Sequence, residues 1–183
     1  DDPGTSVRWN DARAYVGWLN EVAAGGGYRR PSEGEGEYAA GAGTATARFW
    51  GNSPDHACGY ANVADRTKFK HGRGTLSRTA GHACSDGQYW VSPVGGYREN
   101  PWGFYDILGN VWEWTEDCYH DSYNGAPDDG SAWTTGDCAF RVARGGGWSY
   151  VPRVVRSARR GGLDAGLRSS GTGFRIAKGN SDA

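Results

Sequence analysis

Apolar residues recur at i, i+3, i+4 and i+7 through Tyr15, Trp18, Leu19 and Val22, which predicts an amphipathic helix capped by Asn10 or Asp11 and stopped at Gly25, Gly26 and Gly27. A second helix is signalled by polar residues. Ser32 with Glu35 three positions later forms a capping box, so a helix is expected to run through about Ala40 and end near Gly41. Gly34 and Gly36 lie inside it and weaken it by about 1 kcal/mol each relative to Ala, so packing has to hold it. After Gly51 the pattern breaks into turns, beginning with Asn52-Ser53-Pro54-Asp55, and the polar residues 68–81 are expected to form a long exposed loop. Short strands are expected at residues 89–91, 111–114, 140–143 and 174–177. Residues 161–173 carry Gly, Ser and Arg with few apolar positions and read as irregular surface.

Composition narrows the architecture. The 183 residues fit one domain, and the 37% hydrophobic content with a mean hydropathy of −0.71 is poor for a helical bundle or a doubly wound sheet. Nine Trp, ten Tyr and five Phe compensate, while 31 Gly imply many tight turns, so a loop-rich α+β or all-β domain wrapped around aromatic side chains is expected.

The net charge of −1 argues against a surface that grips nucleic acid or acidic lipid throughout. Its distribution is uneven. Residues 106–140 hold eight acids and no Lys or Arg, whereas residues 141–175 hold eight Arg opposed only by Asp164. Either the two segments neutralise each other in the fold or the second presents a basic ligand-binding face. No apolar run of about 18 residues is present, so no membrane span is expected. The start at Asp1, without Met, suggests a processed or trimmed product and leaves targeting unread.

Cys58 and Cys84, then Cys118 and Cys138, fall as two local pairs without the spacing of a zinc knuckle. Two disulfides in an exported protein (extracellular, cell-surface or periplasmic) are the preferred reading, each closing a loop of about 20–27 residues and contributing about 3 kcal/mol. Four buried thiols in a reduced compartment are the alternative.

The run Gly103-Phe104-Tyr105-Asp106-Ile107-Leu108-Gly109-Asn110-Val111-Trp112-Glu113-Trp114-Thr115 closely resembles the signature of the formylglycine-generating enzyme (sulfatase-modifying factor) family. Trp9-Asn10-Asp11-Ala12, Arg30-Pro31-Ser32-Glu33, Glu37-Tyr38-Ala39-Ala40, Tyr60-Ala61-Asn62-Val63, Pro93-Val94-Gly95, Arg144-Gly145-Gly146, Arg156-Ser157-Ala158 and Gly173-Phe174-Arg175 follow in the family's order. The resemblance implies an irregular α+β fold of the C-type-lectin type with two helices, short strands and much loop. It also implies one domain over residues 1–183, from which the family's N-terminal portion is missing. Two positions depart from the family: Arg30 stands where Leu is usual, and Gly36 where Trp is usual. Weaker packing of the second helix, or a partner segment filling the space, is expected there.

The resemblance further implies calcium. One family site maps onto Asp106, Gly109, Val111 and Glu113, a second onto Asn62, Val63, Asp86 and Gln88, with Gly109, Val111, Val63 and Gln88 contributing backbone oxygens of the kind hard Ca²⁺ requires. Without the family, Asp106 and Glu113 read as solvated or paired with arginine. Trp112, Trp114 and Trp148 could form a carbohydrate platform, but alternation puts Trp112 and Trp114 on one strand face and favours core packing.

Catalysis is where the chain departs from the family. The family oxidase places two cysteines just after the Gly-Gly-x-aromatic segment, to bind copper and activate oxygen. Here residues 145–155 read Gly-Gly-Gly-Trp-Ser-Tyr-Val-Pro-Arg-Val-Val, with no thiol to serve as a soft ligand or redox nucleophile. His56, His71, His82 and His120 read as scattered surface residues, and Glu113 with Glu116 or Asp117 reads as calcium or surface carboxylates rather than a hydrolytic pair. No catalytic residue is assigned.

The expected function is therefore a non-catalytic module binding a protein or surface ligand. C-type-lectin-fold relatives of the family include variable proteins diversified by retroelements, which bind through the stretch between Gly-Gly-x-Trp and the last Gly-Phe-Arg. The corresponding candidates are Ser149, Tyr150, Val151, Val154, Arg159, Gly161, Leu163, Asp164, Leu167, Ser169, Ser170 and Gly171. Trp148, Arg156, Ser157, Ala158 and Arg175 are expected to frame them. The alternatives are an enzyme or enzyme subunit of the formylglycine-generating or sulfoxide-synthase type, which needs a redox metal, and a structural part of a surface assembly.

Overall fold

The computed structural model describes residues 1–70 and 80–179. Helix α1, Trp9–Val22, starts from Arg8, whose backbone N–H donates to the Asp11 carboxylate at 2.9 Å; Asp11 thus closes the first turn from inside rather than capping it. The expected apolar face is not the buried one. Trp9, Ala12 and Val16 face the core, whereas Tyr15, Trp18 and Val22 are exposed. Trp9 determines this phase: its indole N–H reaches the Thr115 carbonyl at 2.7 Å, and the small Ala12 lets the helix lie close behind it.

Strand β1, Tyr28–Arg29, leads into helix α2, Glu33–Gly41. Both halves of the expected capping box form: Ser32 Oγ accepts from Glu35 N at 3.1 Å, and the Glu35 carboxylate accepts from Ser32 N at 2.8 Å. A 3-10 turn, Pro54–Gly59, and a short helix α3, Arg66–Lys70, follow. Helix α3 was not expected, and it takes the beginning of the supposed exposed loop; residues 71–79 of that loop lie outside the described residues.

The principal sheet contains β2 (Trp112–Cys118), β3 (Phe140–Arg144), β4 (Arg160–Asp164) and β5 (Thr172–Phe174) in the order β4-β3-β2-β5. β3 is antiparallel to both neighbours, with Trp114 opposite Ala143 and Val142 opposite Gly162, while β5 runs parallel to β2. A separate ribbon pairs β1 with β6, Ala177–Lys178. Residues 89–91 form no strand. The segment read as irregular surface contains β4. Its alternation was invisible because Gly161 and Gly162 carry no side chain: a Cβ at Gly161 would lie 3.3 Å from the Trp112 ring, and one at Gly162 2.6 Å from that of Tyr119.

Trp112 and Trp114 are buried with Trp9 and Ala143 in one core cluster, as the strand alternation required; Phe49, Ala57, Ala61, Val63, Leu108 and Val155 belong to a second. Cys58 pairs with Cys84 and Cys118 with Cys138, as the spacing predicted. Of the arginines after residue 140, Arg144, Arg160, Arg168 and Arg175 pair with acids, and helix α2 supplies those of the first two. Buried Arg144 meets Glu33 at 3.1 Å and Glu37 at 2.5 Å, and Arg160 meets Glu33 at 2.7 Å. Arg30, in the family's Leu position, is buried; its guanidinium and that of Arg141 stack on the Trp9 ring, and it pairs with Glu116 at 2.5 Å. Beside Gly36 lies a cavity of about 400 Å³, bounded in part by Ile107, Trp114 and Arg144.

Candidate functional site

The first candidate cation position lies on the turn that feeds β2. Asp106, with φ +54°, and Gly109, with φ +83°, bend the chain so that the Asp106 carboxylate turns inward. Gly109 is obligatory, because a Cβ there would come within 2.6 Å of the Asn62 carbonyl oxygen. Asp106 Oδ2 accepts from Gly95 N at 2.7 Å, while its Oδ1 is buried without a hydrogen-bond partner. Burial pushes the Asp106 carboxyl up, with Glu113 adding to it, against the pull of the Gly95 N–H and Arg175. Glu113 accepts from Arg175 through both oxygens, at 2.7 and 2.9 Å, and Arg175 also donates to the Tyr105 carbonyl at 3.0 Å. Asp106, Val111, Glu113 and Arg175 line a cavity of about 580 Å³. A buried carboxylate oxygen without a donor, beside a second carboxylate, fits a hard cation.

The second position is built differently. Asp86 accepts from Val63 N at 2.9 Å and from Gln88 N at 2.8 Å, so both of its oxygens are engaged by backbone amides. The ammonium of Lys68, on α3, lies among the remaining oxygens of the set. It donates to Asn62 Oδ1 at 3.2 Å, to the Val63 carbonyl at 2.7 Å, and to the Trp148 carbonyl. Its charge also stands 5.1 Å from the centroid of the Trp148 ring. Burial pulls the Lys68 ammonium down to about 8, with Asp86 and Asp65 pulling it back up. Asp65 turns its carboxylate to Thr67 and to the Asp86 backbone N–H.

The two positions share a wall. Asn110 N donates to the Asn62 carbonyl at 2.8 Å, and the Asn110 side chain exchanges hydrogen bonds with the Ser92 backbone at 3.0 and 3.1 Å. Asn110 O accepts from Trp148 N at 2.8 Å, which ties the glycine-rich turn to the same wall.

Trp112 gathers the candidate binding stretch. Tyr150 packs edge-on against it at 5.4 Å, Gly161 lies under its ring, and Trp112 N donates to the Gly171 carbonyl at 2.8 Å. Ser149, Tyr150, Arg159, Asp164, Leu167 and Ser170 are exposed. Val154 and Leu163 instead pack against the tryptophan core, and the Ser169 hydroxyl accepts from Gly171 N at 3.1 Å; Val151 and Gly171 are half-buried. Of the expected frame, Ser157 donates to the Ala40 carbonyl at 3.1 Å and Arg175 pairs with Glu113, but Arg156 and Ala158 are exposed.

No thiol lies near the glycine-rich turn, and all four cysteines are in disulfides. That includes Cys58, whose sulfur lies near the carboxylates of Asp65 and Asp86. Glu113, Glu116 and Asp117 form no acid pair: the first two are held by Arg175 and Arg30, and Asp117 accepts from Glu33 N at 2.6 Å and Trp133 N at 2.8 Å. Two histidines are not free surface groups. His82 is buried with Nδ1 2.9 Å from the Pro54 carbonyl, and His120 stacks on Trp133 at 3.5 Å. Lys68 and Asp65 were missed by sequence reasoning; a lysine in a polar stretch gives no sign of burial.

Residues 1–180 match the family described as sulfatase-modifying factor enzyme 1-like domain. Among curated proteins, the chain is 34% identical over 180 residues to a formylglycine-generating enzyme of Streptomyces coelicolor, covering 96% of this chain and 52% of that protein. It is 32% identical over 187 residues to the inactive C-alpha-formylglycine-generating enzyme 2 of Bos taurus, covering 97% and 50%. The chain thus spans about half the length of these curated relatives. Among solved structures, PvdO from Pseudomonas aeruginosa superposes with a TM-score of 0.80 at 36% identity, over 97% of this chain and 62% of that one. The Treponema denticola variable protein 1 superposes with a TM-score of 0.76 at 24% identity, over 97% and 71%, and shares the fold.

Proposed function

The chain belongs to the sulfatase-modifying factor enzyme 1-like family, and from that premise we propose that it is a non-catalytic binding module whose scaffold is stabilised by calcium. The observation that carries this reading is the glycine-rich turn at residues 145–155, which holds no cysteine while all four cysteines of the chain are paired elsewhere. A turn without a thiolate has no soft ligand for copper and no redox nucleophile. What the same region offers is an exposed set, Tyr150, Arg159 and Leu167, in the turns on either side of β4, with Tyr150 packed edge-on against Trp112. Tyr and Arg are favoured interface anchors, and Leu adds apolar contact. Arg153, Arg156 and Arg159 have no acidic partner among the described residues, so the ligand is a protein or surface component carrying acidic groups beside an apolar patch.

Calcium is assigned to the first position, with Asp106 and Glu113 as carboxylate ligands and the Gly109 and Val111 carbonyls completing the cage. The support for it is the buried, partnerless Asp106 Oδ1. The bound ion would neutralise the inward carboxylate and brace the turn into β2. Two disulfides support placement outside the reducing cytosol, in an extracellular, cell-surface or periplasmic setting; among the described residues no helix is long and apolar enough to cross a membrane.

The test is to substitute Tyr150, Arg159 and Leu167 together and measure capture from a displayed ligand library beside the melting temperature. Lost capture at unchanged melting supports the reading. Unchanged capture, or turnover of a substrate independent of these residues, overturns it.

A further inference from the structure

The family resemblance places a metal ion among Asn62, Val63, Asp86 and Gln88, and the residues present do not fit one. An ion there needs the Asn62 side-chain oxygen and the Val63 carbonyl as ligands, and both already accept from the Lys68 ammonium, at 3.2 and 2.7 Å. The third ammonium hydrogen goes to the Trp148 carbonyl. An ammonium has three donors and no acceptor, so three oxygens satisfy it completely. Each Asp86 oxygen already accepts one backbone amide, from Val63 or Gln88. Lys68 is 8% exposed and the Asn62 side chain is fully buried, so neither turns toward solvent.

We propose that Lys68 is the resident cation of this second position: its ammonium does there what a bound metal ion would do, and the position takes no calcium. The charge balance agrees. Asp65 and Asp86 supply the negative charge that a metal would neutralise, and both act on Lys68 electrostatically. Placing a further divalent ion against the ammonium would set like charges a few ångströms apart in a buried site, so the two occupants exclude each other.

The substitution also adds a link. By reaching the Trp148 carbonyl, Lys68 joins the Asn62–Asp65 segment to the glycine-rich turn that precedes Tyr150, and a second bond, from Ala64 N to the Tyr150 carbonyl at 3.2 Å, runs beside it. Lys68 is in this sense a positioning residue for the candidate binding stretch. The inference is independent of whether the first position takes calcium.

Two measurements test it on the oxidised, folded chain. In the first, Asp106→Ala is titrated with calcium chloride by calorimetry and its melting is followed in calcium and in chelator. Absence of binding and of any melting shift is expected. Calcium binding that Asn62→Ala removes would overturn the proposal. The second needs no substitution: the wild-type protein is treated with limiting acetic anhydride and its three lysines, Lys68, Lys70 and Lys178, are quantified by mass spectrometry. Lys68 is expected to react on the order of 100-fold more slowly than exposed Lys178, because it is reached only through local opening, and equally slowly with and without calcium. Reaction at the Lys178 rate, or a rise when calcium is added, would mean that the ammonium leaves its oxygens and would sink the idea.

Discussion

The two candidate cation positions are built from similar materials, and their basic side chains stand in them differently. Each has two carboxylates, one basic side chain and backbone carbonyls near a buried Asn, and the two share the Asn62–Asn110 wall. At the first, Arg175 engages Glu113 through both of its oxygens and leaves Asp106 Oδ1 buried without a donor. At the second, Lys68 stands among the oxygens themselves and every donor it has is used. The difference lies in where the basic group attaches. Arg175 follows β5 and approaches one carboxylate, whereas α3 delivers Lys68 into the cage. A set of oxygen ligands therefore reports the shape of a cage, and the intervening chain decides what fills it.

The largest effect that would sharpen this contrast is expected from Lys68→Met, which leaves buried oxygens and two carboxylates without their cation. A loss of about 3–5 kcal/mol is expected in denaturant unfolding, alike in calcium and chelator. Lys68→Ala is expected to cost as much in chelator and to recover part of the loss in calcium, since it vacates the cage. An unchanged unfolding midpoint in Lys68→Met would remove Lys68 from the scaffold altogether.

Removing the Cys58–Cys84 disulfide by paired Ser substitutions separates the positions in a second way. It closes the loop that carries Lys68, so a loss of about 3 kcal/mol is expected together with faster acetylation of Lys68. Removing Cys118–Cys138 is expected to leave that acetylation rate unchanged, and a rise of equal size would show that the protection is not local.

Chelation addresses the first position. At calcium a hundredfold above its dissociation constant, the bound ion contributes about 2.7 kcal/mol, which chelator should remove and Asp106→Ala should make unobservable. Melting of the wild type that ignores chelator would end the calcium assignment. The smallest effect on stability, within about 1 kcal/mol, is expected for the Tyr150, Arg159 and Leu167 triple substitution, because these side chains are exposed. A larger loss of stability would make them part of the scaffold.

Features specified by near neighbours were legible in the sequence. The Ser32–Glu35 capping box, the aromatic face of β2 and both disulfides depend on short spacings, and each appears where the spacing put it. Helix α1 was found but its phase was not. Apolar residues occupy both of its faces, and distant partners select one, among them the Thr115 carbonyl, which takes the Trp9 indole N–H, and the Arg30 and Arg141 guanidinium groups on the Trp9 ring. Strand β4 escaped because its two glycines erase alternation, although a Gly pair beside aromatics is itself a sign of close approach. Lys68 escaped for a stronger reason. Two of its acceptors are five and six residues away, but the third, Trp148 O, is eighty residues away, and nothing local announces that it will be there.

A cation carried by the chain obeys different rules from one taken from solution. Calcium at the first position would come and go with its concentration outside, so that part of the scaffold would be firm in a calcium-rich fluid and loose in a poor one. Lys68 is tethered by a few rotatable bonds, and its effective concentration at its own oxygens is set by geometry and unaffected by dilution. Its supply is guaranteed at translation. The stretch leading to Tyr150 is fastened to this permanent member through the Trp148 carbonyl, so the candidate binding stretch should keep its shape whatever the calcium concentration or dilution around it.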